Sequence, residues 1–153
     1  MLNGFGQAGS PFIVHLSEGV YDIDSGERFP IQLPSNVSLI GAGPDLTIID
    51  ASSSNNVFYL DNVYGCTLEG LTITGGNGLS GIMYGAGAGL IALNSEISII
   101  DVMVRDNHTN TFGGGLFLKD CEADFENITV KDNGLTLLAG GIYLWRSNFS
   151  IDH

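Results

Sequence analysis

Gly115-Leu116-Phe117-Leu118-Lys119-Asp120-Cys121-Glu122-Ala123-Asp124-Phe125 decides the fold, because its pattern returns at a fixed interval. Gly89-Leu90 stands one interval before Gly115-Leu116, and Gly141-Ile142 stands the same interval after it. Ser95-Glu96, Cys121-Glu122 and Ser147-Asn148 keep that spacing, as do Ile97-Ser98-Ile99, Ala123-Asp124-Phe125 and Phe149-Ser150-Ile151. Asp106-Asn107 and Asp132-Asn133 repeat at the same distance, and Val102-Met103-Val104 aligns with Ile128-Thr129-Val130. A fixed period of about 26 residues falls in the range of repeat architectures.

Each unit holds three short alternating stretches bounded by Gly, Asn or Asp, which predicts strands and turns. In one unit they are 115–118, 123–125 and 128–130, followed by the turn Asp132-Asn133-Gly134. A propeller blade needs about 40 residues, and helical repeats need a 3.6-residue apolar period that is absent. The geometry that fits is a coil with one strand on each of three faces. Stacked coils place equal positions about 4.8 Å apart in parallel sheets. The expectation is an all-β, right-handed, single-stranded parallel β-helix of about five coils, forming one domain over residues 1–153. Upstream, Gly70-Leu71-Thr72-Ile73-Thr74-Gly75 and Asn36-Val37-Ser38-Leu39-Ile40-Gly41 match the Val102 and Ile128 strands. Val57-Phe58-Tyr59-Leu60 takes the place of the Leu90, Leu116 and Ile142 strands. The offset from Tyr59 to Ile91 exceeds the period, which puts about six extra residues in the loop Gly75 to Gly87.

Composition agrees. The chain has 153 residues, 22 of them Gly, with 17 carboxylates against 5 Lys plus Arg and a formal net charge of −12. Apolar residues make up 44%, too many for disorder driven by low hydrophobicity. So much Gly disfavours helices. Five cationic side chains neutralise few phosphates, so a nucleic-acid partner is not expected. The Gly-interrupted stretch Ile82 to Leu93 is too short for a membrane span. No basic start or apolar run follows Met1, so no signal peptide is read. A single turn-rich β domain on the outside of a cell is expected.

Several stretches resemble the right-handed parallel β-helix superfamily, the pectin-lyase-like fold. His15-Leu16-Ser17-Glu18-Gly19-Val20-Tyr21, Phe29-Pro30-Ile31, Val37 to Gly43 and Thr47-Ile48-Ile49-Asp50-Ala51 are similar to the opening coils of DUF1565-type domains. Gly113-Gly114-Gly115-Leu116 and Gly140-Gly141-Ile142-Tyr143 are similar to the GGGIY units of bacterial surface β-helices, including polymorphic outer-membrane proteins. The resemblance implies the fold across nearly the whole chain and leaves the activity open. Such domains begin with a capping helix and strand, whereas about ten residues, Met1 to Ser10, precede the first turn in this chain. Ile151-Asp152-His153 aligns with Phe125-Glu126-Asn127, so the last coil lacks its third strand. The expectation is a fragment of a longer chain, or an open end covered by another subunit.

Alternation puts Leu116 and Leu118 inward, with Leu90, Ala92, Ile142 and Leu144 in the same columns. The outward column is then Tyr59, Ile91, Phe117, Tyr143, beside Leu93, Lys119, Trp145. Aromatic faces on a flat sheet stack on the C–H surfaces of sugars, or else on one another. Tyr59, Phe117, Tyr143 and Trp145 are therefore the candidate ligand-binding residues. Asn107 and Asn133 fall on one turn, and stacked Asn side chains bond along a column, so a structural turn ladder is expected. Asp106 and Asp132 are a weak Ca²⁺ candidate, since calcium needs about six to eight oxygens. No other cofactor is expected. Cys121 aligns with Ser95 and Ser147, and Cys66 with Ile97, about two coils or on the order of 10 Å apart. That exceeds the roughly 7 Å limit for a disulfide, so two reduced, buried thiols are predicted.

Gly41-Ala42-Gly43 is not a dinucleotide fingerprint: Leu46 stands where the third Gly belongs, and a strand, not a helix, follows. No catalytic set is legible. A pectate lyase would resemble its relatives in clustered Asp ligands and a basic residue. Arg28, Arg105, Lys119, Lys131 and Arg146 are the only such basic residues, and Lys119 with Asp120 and Glu122 is too thin a set. The signatures that a polygalacturonase would share with its relatives are absent. Asp101 and Asp124 lie on different faces, and His15 and His108 have no clustered partner. The leading expectation is a non-catalytic segment of a bacterial secreted or cell-surface protein, a spacer, adhesin or assembly module, with self-association or further coils at its open ends. The alternative is a carbohydrate-binding module or a carbohydrate-active one, of lyase or glycoside-hydrolase type, with a polysaccharide partner.

Overall fold

The computed structural model describes residues 11–78, 86–134 and 139–152. Thirteen strands run through them and no helix does. They are β1 (Phe12–His15), β2 (Gly19–Tyr21), β3 (Val37–Ile40), β4 (Thr47–Asp50), β5 (Phe58–Asp61), β6 (Cys66–Thr74) and β7 (Leu90–Leu93). Then follow β8 (Glu96–Arg105), β9 (Leu116–Lys119), β10 (Glu122–Glu126), β11 (Thr129–Lys131), β12 (Ile142–Trp145) and β13 (Asn148–Asp152). Every strand pairing is parallel, and each partner lies one coil away. The molecule is a β-solenoid of about five coils, with the period that the repeat predicts.

The register follows the sequence spacing closely. Phe58, Leu90, Leu116 and Ile142 are successive partners in a four-stranded sheet, β5-β7-β9-β12. Cys66, Ile97, Ala123 and Phe149 form a column of the larger, nine-stranded sheet. Two of the three expected faces merge there, because β6 and β8 pass without a break round the corner between them. Left-handed backbone at Gly70 (φ 62°) and Asp101 (φ 50°) makes that corner inside a continuous ladder.

The corners recur as columns of positive φ. Asn62, Asn94, Asp120 and Arg146 lie at φ 47–55° directly after the four-stranded sheet. Gly75, Asp106 and Asp132 share a second column at φ 53–66°, and Gly87, Gly113 and Ala139 a third at 51–61°. Asn, Asp and Gly tolerate this region because short polar side chains, or none, relieve the clash of Cβ with the next carbonyl. The Gly, Asn and Asp that punctuate the sequence are therefore the bends of the coil.

One upstream match is corrected. The pattern aligns Val37–Ile40 with the Leu71 strand, but Leu39 pairs with Leu68, and Thr47–Asp50 takes the neighbouring column through Ile48↔Thr72. Both faces carry the same alternation, so the pattern does not distinguish them. The loop between β3 and β4 spans the wide corner. Its Ala42 amide donates to Thr47 Oγ1 (2.9 Å), and that hydroxyl donates to the Ser17 carbonyl (3.1 Å). A Cβ on Gly41 would collide with the Gly70 carbonyl, so the two backbones approach at the corner only because Gly41 has no side chain. Strand β4 after this Gly-Ala-Gly turn removes the dinucleotide reading.

The inner columns form one continuous core. Val37, Phe58, Leu71, Ile73, Leu90, Ala92, Ile99, Val104, Leu116 and Leu118 are wholly enclosed. The inner columns lose their cover at the last described coil. Phe149 and Ile151 are 53% and 51% exposed, while Ala123 and Phe125, their partners one coil earlier, are 3% and 2% exposed. The extra residues expected in the loop Gly75 to Gly87 are divided by the register: one falls between Asp61 and Cys66 and the others between Thr74 and Leu90, where residues 79–85 lie outside those described. Residues 1–10, where a cap would stand, also lie outside them.

Candidate functional site

Asn107 and Asn133 form the expected ladder. Asn107 is fully buried, and its Nδ2 donates to Asn133 Oδ1 (3.0 Å), to the Ile73 carbonyl (3.1 Å) and to the Arg105 carbonyl (3.0 Å). Its Oδ1 accepts from the Gly76 amide (2.9 Å). Asn133 Nδ2 repeats the pattern on the Val104 carbonyl (3.0 Å), one coil along from Ile73. These amides satisfy corner groups that face inward, which is how the coil turns sharply without orphaned backbone.

Other outer carboxylates are bound by neighbouring coils. Asp101 accepts from Asn127 (2.8 Å), Asp124 from Ser150 (2.6 Å), and Asp120 from the Arg146 guanidinium (2.6 Å). The Arg146 hydrogen bond and charge hold the Asp120 carboxyl below its usual range and raise the guanidinium in return. Of the calcium candidates, Asp106 is held by Arg105 (2.6 Å), and both Asp106 and Asp132 sit exposed at their turn. Among the described residues, no group of three or more His, Cys, Asp or Glu is set to hold a metal. His15 and His108 are exposed and unclustered.

Both cysteines are free and buried. Cys121 replaces the serine of its column: Ser95 and Ser147 hydroxyls accept from the Val63 and Cys121 amides, and the Cys121 thiol donates to the Lys119 carbonyl. Cys66 Sγ donates to the Pro34 carbonyl (3.2 Å). Burial pushes both thiols above the usual range.

The aromatic column exists in the predicted register, Tyr59↔Ile91↔Phe117↔Tyr143, with Lys119↔Trp145 beside it. Its middle is not open to a ligand. Phe117 is 2% exposed and Ile91 fully enclosed, because Ala86 and Phe112 pack over them as a second small core. The Gly87 amide donates to the Phe112 carbonyl (2.9 Å), which ties the two covering segments together. Phe117 stacks on Tyr143 at 5.7 Å and 5°, and Phe112 tilts against Tyr143 at 5.5 Å. Phe117 is thus structural rather than an open stacking face, and Tyr59 and Tyr143 keep only part of their rings exposed. Trp145 is the open ring of the set, 48% exposed, with Lys119 Nζ 5.4 Å from its centroid.

A cavity that the periodic pattern does not announce lies at the next corner. It holds about 340 Å³ and is lined by Tyr64, Asn94, Ser95, Glu96, Asp120 and Glu122. Asp61 to Cys66 is one residue longer than Leu93 to Ile97, and the register is continuous on both sides. The surplus is taken up at Tyr64-Gly65, with Gly65 at φ 65°. The Tyr64 amide donates to Ser35 Oγ (3.0 Å) and its carbonyl accepts from the Asn36 amide (2.8 Å), so its backbone is fixed while its side chain stays half exposed. The sequence carried the signal in its offsets, since Tyr59 to Ile91 is one residue longer than Leu71 to Val102.

Parallel strands on every face, inward apolar columns and left-handed corners define a parallel β-solenoid. The pectin methylesterase of Yersinia enterocolitica has a similar fold, with TM-score 0.57 and 17% identity over 90% of this chain and 51% of that one. The chain belongs to the family described as "Protein of unknown function (DUF1565)", whose model matches residues 5–150. Weaker likenesses extend to the pectin methylesterase PemA of Erwinia chrysanthemi (TM-score 0.48, 16% identity, 86% of this chain and 45% of that one). Another is a putative glycosyl hydrolase of Parabacteroides merdae (0.49, 13%, 92% and 81%). No curated protein matches. The chain spans about half the length of the pectin methylesterases it resembles.

Proposed function

We propose that this chain is a non-catalytic parallel β-helix module of a bacterial secreted or cell-surface protein, and that it holds polysaccharide on its outer surface. The observation that carries the reading is the exposed Trp145 ring on the outer face of the four-stranded sheet, in the column beside the stacked Phe117–Tyr143 pair. With Lys119 Nζ 5.4 Å from its centroid, the Trp145 ring offers an aromatic face of the kind that packs on sugar C–H surfaces. The outer carboxylates Asp101, Asp120 and Asp124 serve as inter-coil acceptors, which supports a binding rather than a catalytic role. Affinity electrophoresis of the chain through gels containing soluble polysaccharides tests it. Retardation by at least one polymer that is lost in Trp145→Ala is the expected result; equal mobility of the variant in every gel overturns it.

A second reading rests on the exposed inner columns at Phe149 and Ile151, which present apolar surface and a strand edge to a further coil or subunit. Concentration-dependent mass in light scattering, abolished by Ile151→Lys, is expected if this end assembles.

A further inference from the structure

The corner cavity is built differently from the rest of the surface. Tyr64, Glu96 and Glu122 follow one another along the solenoid axis on one wall; Asn94 and Asp120 form the other, with Ser95 between them. The walls also differ in what their side chains do. Asp120 is committed to Arg146, and Asn94 reaches Asp61 at 3.4 Å. The Glu96 and Glu122 carboxylates are exposed, stand in register one coil apart, and form no hydrogen bond or ion pair among the described residues. Like charges in register oppose one another, so this wall is at its most favourable when a donor or a positive charge lies between them. Tyr64 stands at its head with half its surface exposed.

A furrow with an exposed ring at one end and unspent acceptors along one wall has the makings of a saccharide subsite: the ring takes a sugar face, and the acceptors take its donors. The charge selects among sugars. The chain carries −12 overall, and two of the three carboxylates that line this cavity, Glu96 and Glu122, are not paired with a cation among the described residues as Asp120 is with Arg146, so a uronate meets repulsion while a protonated amino sugar is attracted. We infer that the Tyr64 furrow is a binding subsite for an oligosaccharide bearing amino groups, one sugar ring on Tyr64 and its ammonium groups toward Glu96 and Glu122. The inference rests on the carbohydrate reading of the chain and adds to it the place and the chemical class of ligand.

Calorimetric titration of the full chain with three tetrasaccharides tests it: glucosamine (cationic), N-acetylglucosamine (neutral) and galacturonate (anionic). The expected result is tightest binding of the glucosamine tetramer and none of the galacturonate. Tyr64→Ala is expected to weaken that binding at least tenfold, Tyr64→Phe to keep it within about twofold, and Glu96→Gln/Glu122→Gln to abolish the preference over the neutral tetramer. Glu126→Gln, a carboxylate outside the cavity, is expected to change nothing. Equal binding of cationic and neutral tetramers, or equal losses from Glu126→Gln and the Glu96/Glu122 pair, overturns the amino-sugar class and leaves the carbohydrate reading standing. Binding that survives Tyr64→Ala but is lost in Trp145→Ala overturns the furrow alone. If no tetramer binds and no gel retards the chain, both fall.

Discussion

The side-chain amide of Asn107 donates to Asn133 Oδ1 across one coil, at 3.0 Å, from a position with no solvent exposure. Asn107 also accepts from the Gly76 amide and donates to two carbonyls, so one side chain joins three successive coils. Asn107→Ala leaves that amide and those carbonyls without their partner and is expected to cost about 2–3 kcal/mol. Asn133→Ala, at a half-buried position one coil nearer the open end, is expected to cost less. Urea melts of the two variants measure the difference; equal midpoints would remove the ladder as a principal tie.

Phe117 and Trp145 separate stability from binding. Phe117→Ala opens a hole in the small core beneath Ala86 and Phe112, and a loss of about 3–4 kcal/mol is expected. Trp145→Ala removes an exposed ring, so its thermal midpoint is expected to stay within about 2 °C of the parent, in line with a surface change of under roughly 0.5 kcal/mol. Scanning calorimetry on both reports it.

Ala139 is the third residue of the corner column Gly87–Gly113–Ala139 and holds φ 51° with a Cβ attached. That conformation costs a non-glycine residue about 1–2 kcal/mol, part of which glycine returns as unfolded-state entropy. Ala139→Gly is expected to stabilise the chain by up to about 1 kcal/mol. Gly113→Ala is expected to destabilise it, since a Cβ there meets the Leu116 carbonyl. Paired denaturant midpoints of opposite sign are the expected result.

Cys66, Cys121 and Tyr59 share a pH dependence of one sign. Burial raises all three above their usual values, with Asp61 adding to the effect at Tyr59. A raised acid keeps its stabilising contribution below the unfolded pKa and loses it as pH climbs toward the folded one. Stability is therefore expected to fall above roughly pH 8.5, where unfolded thiols ionise first. Asp120 has the opposite sign: its depressed carboxyl contributes above the unfolded carboxylate pKa and loses that contribution on acidification. Thermal midpoints from neutral to alkaline pH test the upper limb, and slow alkylation of two thiols in the native chain, rapid in denaturant, checks that they are free.

Much of this was legible in one dimension. A solenoid repeats its environment every coil, so Leu90, Leu116 and Ile142, or Asn107 and Asn133, reveal their columns by spacing alone. The same repetition concealed the early register. Val37–Ile40 and Leu71–Ile73 alternate alike, and only the width of the corner between β3 and β4 put Val37–Ile40 in the Cys66 column. Tyr64 leaves its mark only as a one-residue difference between the Tyr59–Ile91 and Leu71–Val102 offsets, and the residue pattern itself runs on unchanged.

The sequence by itself determined the period, the parallel coil, the inward columns, the left-handed corners and the separation of the two thiols, because each depends on local backbone preference repeated in register. Only the tertiary structure decided what covers the outer face. Whether Phe117 meets solvent depends on the path of Ala86 and Phe112 over it, and whether Glu96 and Glu122 flank a cavity depends on where the Tyr64 bulge comes to rest. Those contacts join residues with no periodic relation, so their outcome follows from chain packing rather than from spacing.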